Sequence, residues 1–336
     1  MLATRKYHSL DEVRQALAGR LDRAPAIGLF DRLDWFTALH RHCFAGVPVL
    51  ILSAQEDDRE AWLFLLASYS RSLQALSNWY SFSWAPVFLG EPDAASRNRM
   101  LDAMARTLLD GRSRIALYPL EQVDDLTAAL RRAGWFTVQR PMGGRYLLPV
   151  NGRSFADYWA TRPGRLRTLV RRKGRKSPFT LSIDHHLTDD LWRDYLAVHA
   201  HSWKEAEPED GLDFLHDLAQ RESAAGRLRL GFARLDGQAV ATQLWTVDHG
   251  VALIHKLSHD QRHDAGSPGT LLSHAMFAQA IDGDRVTLID YGTGDNDYKA
   301  DWMEQRIALI QLDAFNPRCP SAWLPAARTA ISALVG

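Results

Sequence analysis

The segment Arg227 to His259, RLRLGFARLDGQAVATQLWTVDHGVALIHKLSH, decides the fold. It holds three strand-like runs, Arg227 to Leu235, Ala239 to Val247 and Val251 to His259. Between them stand Asp236-Gly237 and His249-Gly250, pairs that accept the positive φ of a tight hairpin turn. An antiparallel meander is therefore expected. Two helices precede it, Asp189 to Trp203 and Leu212 to Ala225, the second ended by Gly226. After it come a glycine-rich loop, a helix (Thr270 to Ile281), a strand (Val286 to Tyr291) and a short helix (Tyr298 to Met303). A strand (Arg306 to Phe315) and a last helix (Ala322 to Leu334) follow. Further upstream, Phe179 to Asp184 alternates as a strand, and Ser154 to Arg175 reads as one basic helix.

The first half also alternates helices and strands. Residues 9–22 and Phe30 to Cys43 read as helices, the latter with Asp31 placed to cap it. Val47 to Ser53 and Ala61 to Tyr69 read as strands. A helix from Ala94 to Leu109 buries Met100, Leu101, Met104 and Leu108 on one face. Ile115 to Tyr118 is a strand, Val123 to Ala133 a helix stopped by Gly134, and Trp135 to Gln139 a strand. A chain of 336 residues suits two domains. The expected division is 1–150 and 151–336, each an α/β (α+β) unit with a mixed, mostly antiparallel sheet flanked by helices.

Lysines and arginines number 40 and acids 40, so no global field steers the protein to nucleic acid or an anionic membrane. The two cysteines, Cys43 and Cys319, lie far apart and form no metal or disulfide framework. A reducing cytoplasm is the expected setting, with no metal. The longest apolar tract, Ala61 to Ser68, is too short to span a bilayer.

Chemistry concentrates late in the chain. The loop Gln261 to Gly269, QRHDAGSPG, joins a strand to a helix N-terminus, where free backbone N–H groups favour phosphate oxygens. Gly266 and Gly269 permit close backbone approach. Arg262 adds positive charge, although its spacing to the glycines departs from a usual phosphate loop. Asp295, Asn296 and Asp297 lead into Tyr298; they suit a cationic amine, or cap the helix that follows. The tract Arg162 to Lys176, RPGRLRTLVRRKGRK, holds eight basic residues and no acid. It reads as contact with a polyanion, or as a solvated helix face with Leu166 and Leu169 turned inward. Eleven tryptophans are present. Trp79 and Trp84 suit stacking on a glycan or packing in a core.

The order helix, three-stranded meander, loop, helix, strand, helix, strand resembles the core of the GNAT acyltransferases. Several stretches are more specifically similar to the GNAT family of bacterial cellulose and exopolysaccharide loci (CelD/BcsL type). They are Ser267-Pro268-Gly269-Thr270-Leu271-Leu272, Asp290-Tyr291-Gly292, and Tyr298-Lys299-Ala300-Asp301-Trp302. Ser202-Trp203-Lys204 and the basic helix also fit. The resemblance covers roughly 30–315 and implies tandem GNAT-like domains, the first degenerate, as in the Fem aminoacyl ligases. It implies acetyl-CoA or another acyl-CoA as co-substrate, held by Lys256, Leu257, Arg262, Gly266, Ser267, Gly269 and Thr270.

Acyl transfer needs an acid for the thiolate, a base for the acceptor and polarisation of the carbonyl. Tyr298, ahead of Tyr291, is the candidate acid. Asp290 and His255 are candidate bases. Lys299 matches the lysine of the Fem Phe-Lys motif and is expected to stabilise charge. Trp203, Lys204 and Asp295 are candidate acceptor contacts. The expected activity is N- or O-acylation of a sugar, peptide or small amine. The alternatives are a Fem-like ligase drawing on aminoacyl-tRNA, and a non-catalytic GNAT-folded protein of polysaccharide export. Acyl carrier protein and tRNA are the candidate macromolecular partners of the basic tract.

Overall fold

The computed structural model describes residues 2–26, 28–68, 71–202 and 208–335. The chain divides into two compact units, Met1–Gly143 with Ala308–Gly336, and Gly144–Ile307. The first unit opens with β1 (Leu2–Tyr7), α1 (Leu10–Leu17), α2 (Leu33–Cys43), β2 (Val49–Glu56) and β3 (Arg59–Ala67). It continues through β4 (Ser72–Ala75), β5 (Val87–Leu89), α3 (Ala94–Leu109), β6 (Arg114–Leu120), α4 (Asp124–Ala133) and the start of β7 (Phe136–Pro149).

The second unit takes the rest of β7, then α5 (Phe155–Ala160), α6 (Gly164–Gly174), β8 (Thr180–Asp184), α7 (Asp189–Ala200) and α8 (Glu209–Ala224). The meander follows as β9 (Leu228–Leu235), β10 (Gln238–Asp248) and β11 (Val251–His259). Next come α9 (Pro268–Ala278), β12 (Leu288–Thr293), α10 (Asp297–Trp302) and the start of β13 (Gln305–Phe315). The end of β13 and α11 (Trp323–Val335) belong to the first unit. That return differs from the expected division at 150/151. The reason is that Ile310 to Phe315 pairs antiparallel with β6.

The meander forms as its turns require. Asp236 and Gly237 have φ of 49° and 84°, His249 and Gly250 45° and 76°. Positive φ at both central residues matches the twist of the flanking strands. The sheet of the second unit runs β7-β12-β11-β10-β9-β8. All its neighbours are antiparallel except β11 and β12, which are parallel. The sheet of the first unit, β1-β2-β3-β4-β6-β13 with β5 on β3, likewise has one parallel pair, β4 and β6.

Some elements differ from the sequence reading. The basic helix expected over Ser154 to Arg175 is two helices, α5 and α6, because Pro163 cannot donate to the helix and disfavours helical backbone at Arg162. Ser154 and Asp157 form a capping box on α5. Asp31 lies in a 3-10 turn and does not cap α2, whose N-cap is Arg32. The helix expected over 9–22 stops at Leu17, where Ala18 turns left-handed. Strands β1, β4 and β5 were not legible: they are short, or alternate with charged residues at an edge.

The core of the second unit joins Trp245 of β10, Leu272, Met276 and Phe277 of α9, Ile289 and Tyr291 of β12, Tyr158 and Trp302. Gly231 on β9 lets α9 approach. A Cβ there would lie 2.6 Å from Met276 Sδ and 3.2 Å from Leu272 Cδ1. Gly231→Ala is expected to destabilise the fold by about 1–3 kcal/mol through overpacking. Chemical denaturation would show it as a lowered midpoint.

Candidate active site

Parallel β11 and β12 pair only at Val251–Leu288, Ala252–Ile289 and Leu253–Asp290. Beyond this level the β10–β11 ladder slips. Leu244 faces Lys256, but Trp245 faces Ile254, so His255 is an extra residue on β11. Such a bulge bends its strand and sharpens the twist. β11 stays with β10 as far as His259–Ala241 and leaves β12 behind. The gap is a cavity of about 340 Å³. Its walls are Leu257 and His259 from β11, Asp264 and Ser267 from the following loop, and Gly269, Thr270 and Ser273 from α9. Tyr291, Tyr298 and Trp302 close the other side.

A buried polar chain leads to this cavity. The Trp245 indole N–H can only donate, and it donates to Gln243 Oε1 at 2.9 Å. That orients the amide, so Gln243 Nε2 donates to Ser273 Oγ at 2.7 Å. Burial raises the Tyr291 pKa well above its usual value; neighbouring Tyr298 adds to the rise and Ser273 opposes it. The rings of Tyr291 and Tyr298 meet edge to face, with centroids 5.8 Å apart. Burial outweighs the Tyr291 bond and raises the Tyr298 pKa, so the phenol is protonated at neutral pH. A protonated donor facing a cavity can serve as a general acid.

His259 lies in the same cavity and bonds Asp264 Oδ1 through Nε2 at 2.6 Å. A carboxylate partner that orients an imidazole makes it a candidate base. Sequence reasoning missed this pair. The legible signal was a histidine ending a strand with an aspartate five residues on. What hid it was the turn of the intervening loop.

Of the candidate residues, Leu257, Ser267, Gly269, Thr270, Tyr291 and Tyr298 line the cavity. The others are placed elsewhere. His255 bonds Thr246 Oγ1 at 2.9 Å, and burial pushes its pKa down to about 3, so it is a neutral member of the bulge. Asp290 is wholly buried. It accepts from Arg145 Nε at 2.8 Å and Nη2 at 2.5 Å, and from the Gly292 N–H. This paired carboxylate is not among the cavity residues. Arg262 is bound to Asp260, whose pKa falls to about 2. Asp295 pairs with Arg306 at 2.7 Å. Lys256 is not among the cavity residues. Gly266 backs onto Phe179, where a Cβ would lie 2.6 Å from the ring. Asn296 is the N-cap of α10 without a side-chain bond. Trp203 and Lys204 lie outside the described residues.

Lys299 is 5% exposed and staples the turn after β12. Its Nζ donates to Thr293 O at 2.6 Å and to Tyr291 O at 3.2 Å. It stands 5.4 Å from the centre of the Tyr291 ring. Burial pushes its pKa down to about 8.

Residues 160–300 match the family model of the acetyltransferase (GNAT) domain. Solved structures extend the likeness over both units. The chain is similar to FemX at 9% identity and a TM-score of 0.58, covering 94% of this chain and 98% of that one. It is similar to a tandem GNAT protein from the clavulanic acid biosynthesis pathway at 13% identity and 0.55, covering 94% and 99%. It also resembles the C-terminal domain of a putative lysylphosphatidylglycerol synthetase from Agrobacterium fabrum at 14% and 0.52, covering 82% and 85%. A sequence search of curated proteins finds no match. The fold is thus of the tandem GNAT kind, and the parallel pair β11–β12 lies within the matched domain. Among the described residues, no helix is long and apolar enough to cross a membrane, and no group of three metal-ligating side chains occurs.

The Lys299 environment has a measurable signature. The unfolded side chain loses its proton near 10.5 and the folded one near 8. Between these values the unfolded state holds more protons, so raising the pH favours the folded state. Stability of the wild type relative to Lys299→Met is expected to rise by about 3 kcal/mol from pH 8 to pH 10.5, and to be flat below pH 8. Urea denaturation of both proteins across this range would show the slope.

Proposed function

We propose that the chain is an acyl-CoA-dependent acyltransferase that moves an acetyl or longer acyl group to an amine or hydroxyl. The observation that carries this reading is the Tyr298 phenol, kept protonated by burial, in the wall of the cavity beside β11. Beyond Leu253, β11 leaves its parallel ladder with β12, and the space beside it suits an amide-bearing arm such as pantetheine. The apolar walls of Leu257 and Trp302 suit a thioester. Co-substrate contacts are assigned to Leu257, Ser267, Gly269 and Thr270.

In the proposed reaction the acceptor loses a proton to His259, held by Asp264, as its nitrogen or oxygen attacks the thioester carbonyl. The tetrahedral intermediate collapses with breakage of the C–S bond. Tyr298 gives its proton to the departing thiolate, and Tyr291 stabilises the phenolate as hydrogen-bond donor. The phenol recovers a proton from solvent. Acceptor, acyl group and thiol balance without a metal or redox partner. The similarity of Ser267 to Leu272 and of Tyr298 to Trp302 to the CelD/BcsL type supports a sugar or exopolysaccharide precursor as acceptor, in the cytoplasm.

A second reading, transfer of an aminoacyl group from tRNA, is favoured by the likeness to FemX together with the basic tract of α6.

The test is calorimetry with acetyl-CoA and turnover with a panel of amines and amino sugars. Tyr298→Phe is expected to lower kcat by about 10²-fold while acetyl-CoA still binds. Unchanged turnover in that variant would remove the acid role. His259→Gln is expected to lower kcat while acetyl-CoA still binds. Absence of acetyl-CoA binding by the wild type, with transfer from charged tRNA, would favour the second reading.

A further inference from the structure

The loop 261–269 separates two hollows. Asp264 and Ser267 face the cavity described above. Ala265 and Gly266 face a larger groove of about 1,090 Å³, whose other wall is α6 and the turn after it. Five cations line that groove: Arg171, Arg172, Lys173, Arg175 and Lys176. No acid does.

The charges of the basic tract separate into two groups. Arg162 pairs with Glu304 and Arg165 with Asp301, each at 2.6 Å. Arg167 donates to the Arg162 carbonyl. The five groove cations have no carboxylate partner among the described residues, and only Lys173 makes a bond, to Ala265 O. Elsewhere the arginines around the cavity are neutralised: Arg145 by Asp290, Arg262 by Asp260 and Arg306 by Asp295. Arg171 and Arg175 lie one helical turn apart at the C-terminal end of α6, so their repulsion lacks local compensation. A protein of zero net charge has concentrated unpaired positive charge in one concavity.

The N-terminus of α9 is a poorer anion site than its sequence suggested. Pro268 at its first position has no N–H, and the Asp264 carboxylate stands beside it, paired to His259. Phosphate is therefore better received on the far side of the loop, by α6.

We infer that the groove between α6 and the Ala265–Gly266 turn binds the phosphorylated nucleotide end of the acyl donor. This rests on the acyltransferase reading, and it assigns the phosphates to α6 rather than to the loop before α9. A ligand lying across the loop places its thioester arm in the 340 Å³ cavity and its anionic end in the groove. Nucleic acid suits the groove less well. No aromatic side chain lines it for base stacking.

The test uses the full chain and four ligands: adenosine 3′,5′-bisphosphate, acetyl-CoA, acetylpantetheine and uncharged tRNA. The variants are the double charge reversal Arg171→Glu/Arg175→Glu and the milder Arg171→Gln/Arg175→Gln, both checked for folding by circular dichroism. The expected result is bisphosphate binding by the wild type that weakens at least about tenfold in the charge reversal, with a smaller loss in the neutral pair. KM for acetyl-CoA should rise in parallel, while kcat and the response to acetylpantetheine stay unchanged. Bisphosphate binding that depends on the groove supports the inference even if no acyl thioester turns over, an outcome that would instead remove the acyltransferase reading. Bisphosphate binding that is absent, or equal in wild type and variants, overturns it. So does groove-dependent binding of tRNA without binding of the nucleotide.

Discussion

One extra residue on β11 sets the geometry on which the site depends. At the bulge the strand must keep its ladder with β10 and cannot also keep its parallel ladder with β12. His255 occupies that position as a neutral imidazole bonded to Thr246. Loss of hydration holds its pKa down to about 3, which keeps the imidazole neutral. The divergence of β11 from β12 opens the cavity and brings Tyr298 of α10 opposite the loop that follows β11.

Around that opening, most formal charge is spent on structure. Asp290 with Arg145 ties β12 to β7, and Asp295 with Arg306 holds the turn before α10. Lys299 holds the same turn through two backbone carbonyls. What remains in the cavity is a set of neutral hydroxyls, Ser273, Tyr291 and Tyr298 among them, and one imidazole–carboxylate pair. Neutral polar groups are cheaper to bury than ions.

The sheet of the first unit also contains one parallel pair. That pair, β4 and β6, also meets over three residues, Ser72–Arg114, Leu73–Ile115 and Gln74–Ala116. A pocket of about 510 Å³ lies there, lined by Ser68, Gln74, Arg114 and Tyr118 among others. Arg114 is drawn to Asp313 at 2.6 Å, and no histidine lines the space. Of these two pockets, the one in the second unit is lined by a histidine beside its tyrosines.

The sequence by itself determined the meander, its two hairpin turns, the helix after the glycine loop and the tyrosines of the motif around Asp290 and Tyr298. Those signals are local: turn pairs that accept positive φ, periodicity along one element, and a proline at a helix start. The sequence could not show that His255 would be consumed by a bulge and His259 left in the cavity, four residues later on the same strand. Nor could it show that Asp290 and Arg262 would be neutralised by Arg145 and Asp260. Tertiary structure alone decided these points, because strand register and ion pairing join residues far apart in the chain. The same reason holds for the cations of the basic tract. Their number was plain in the sequence, but which of them found carboxylates depended on where Glu304 and Asp301 came to lie.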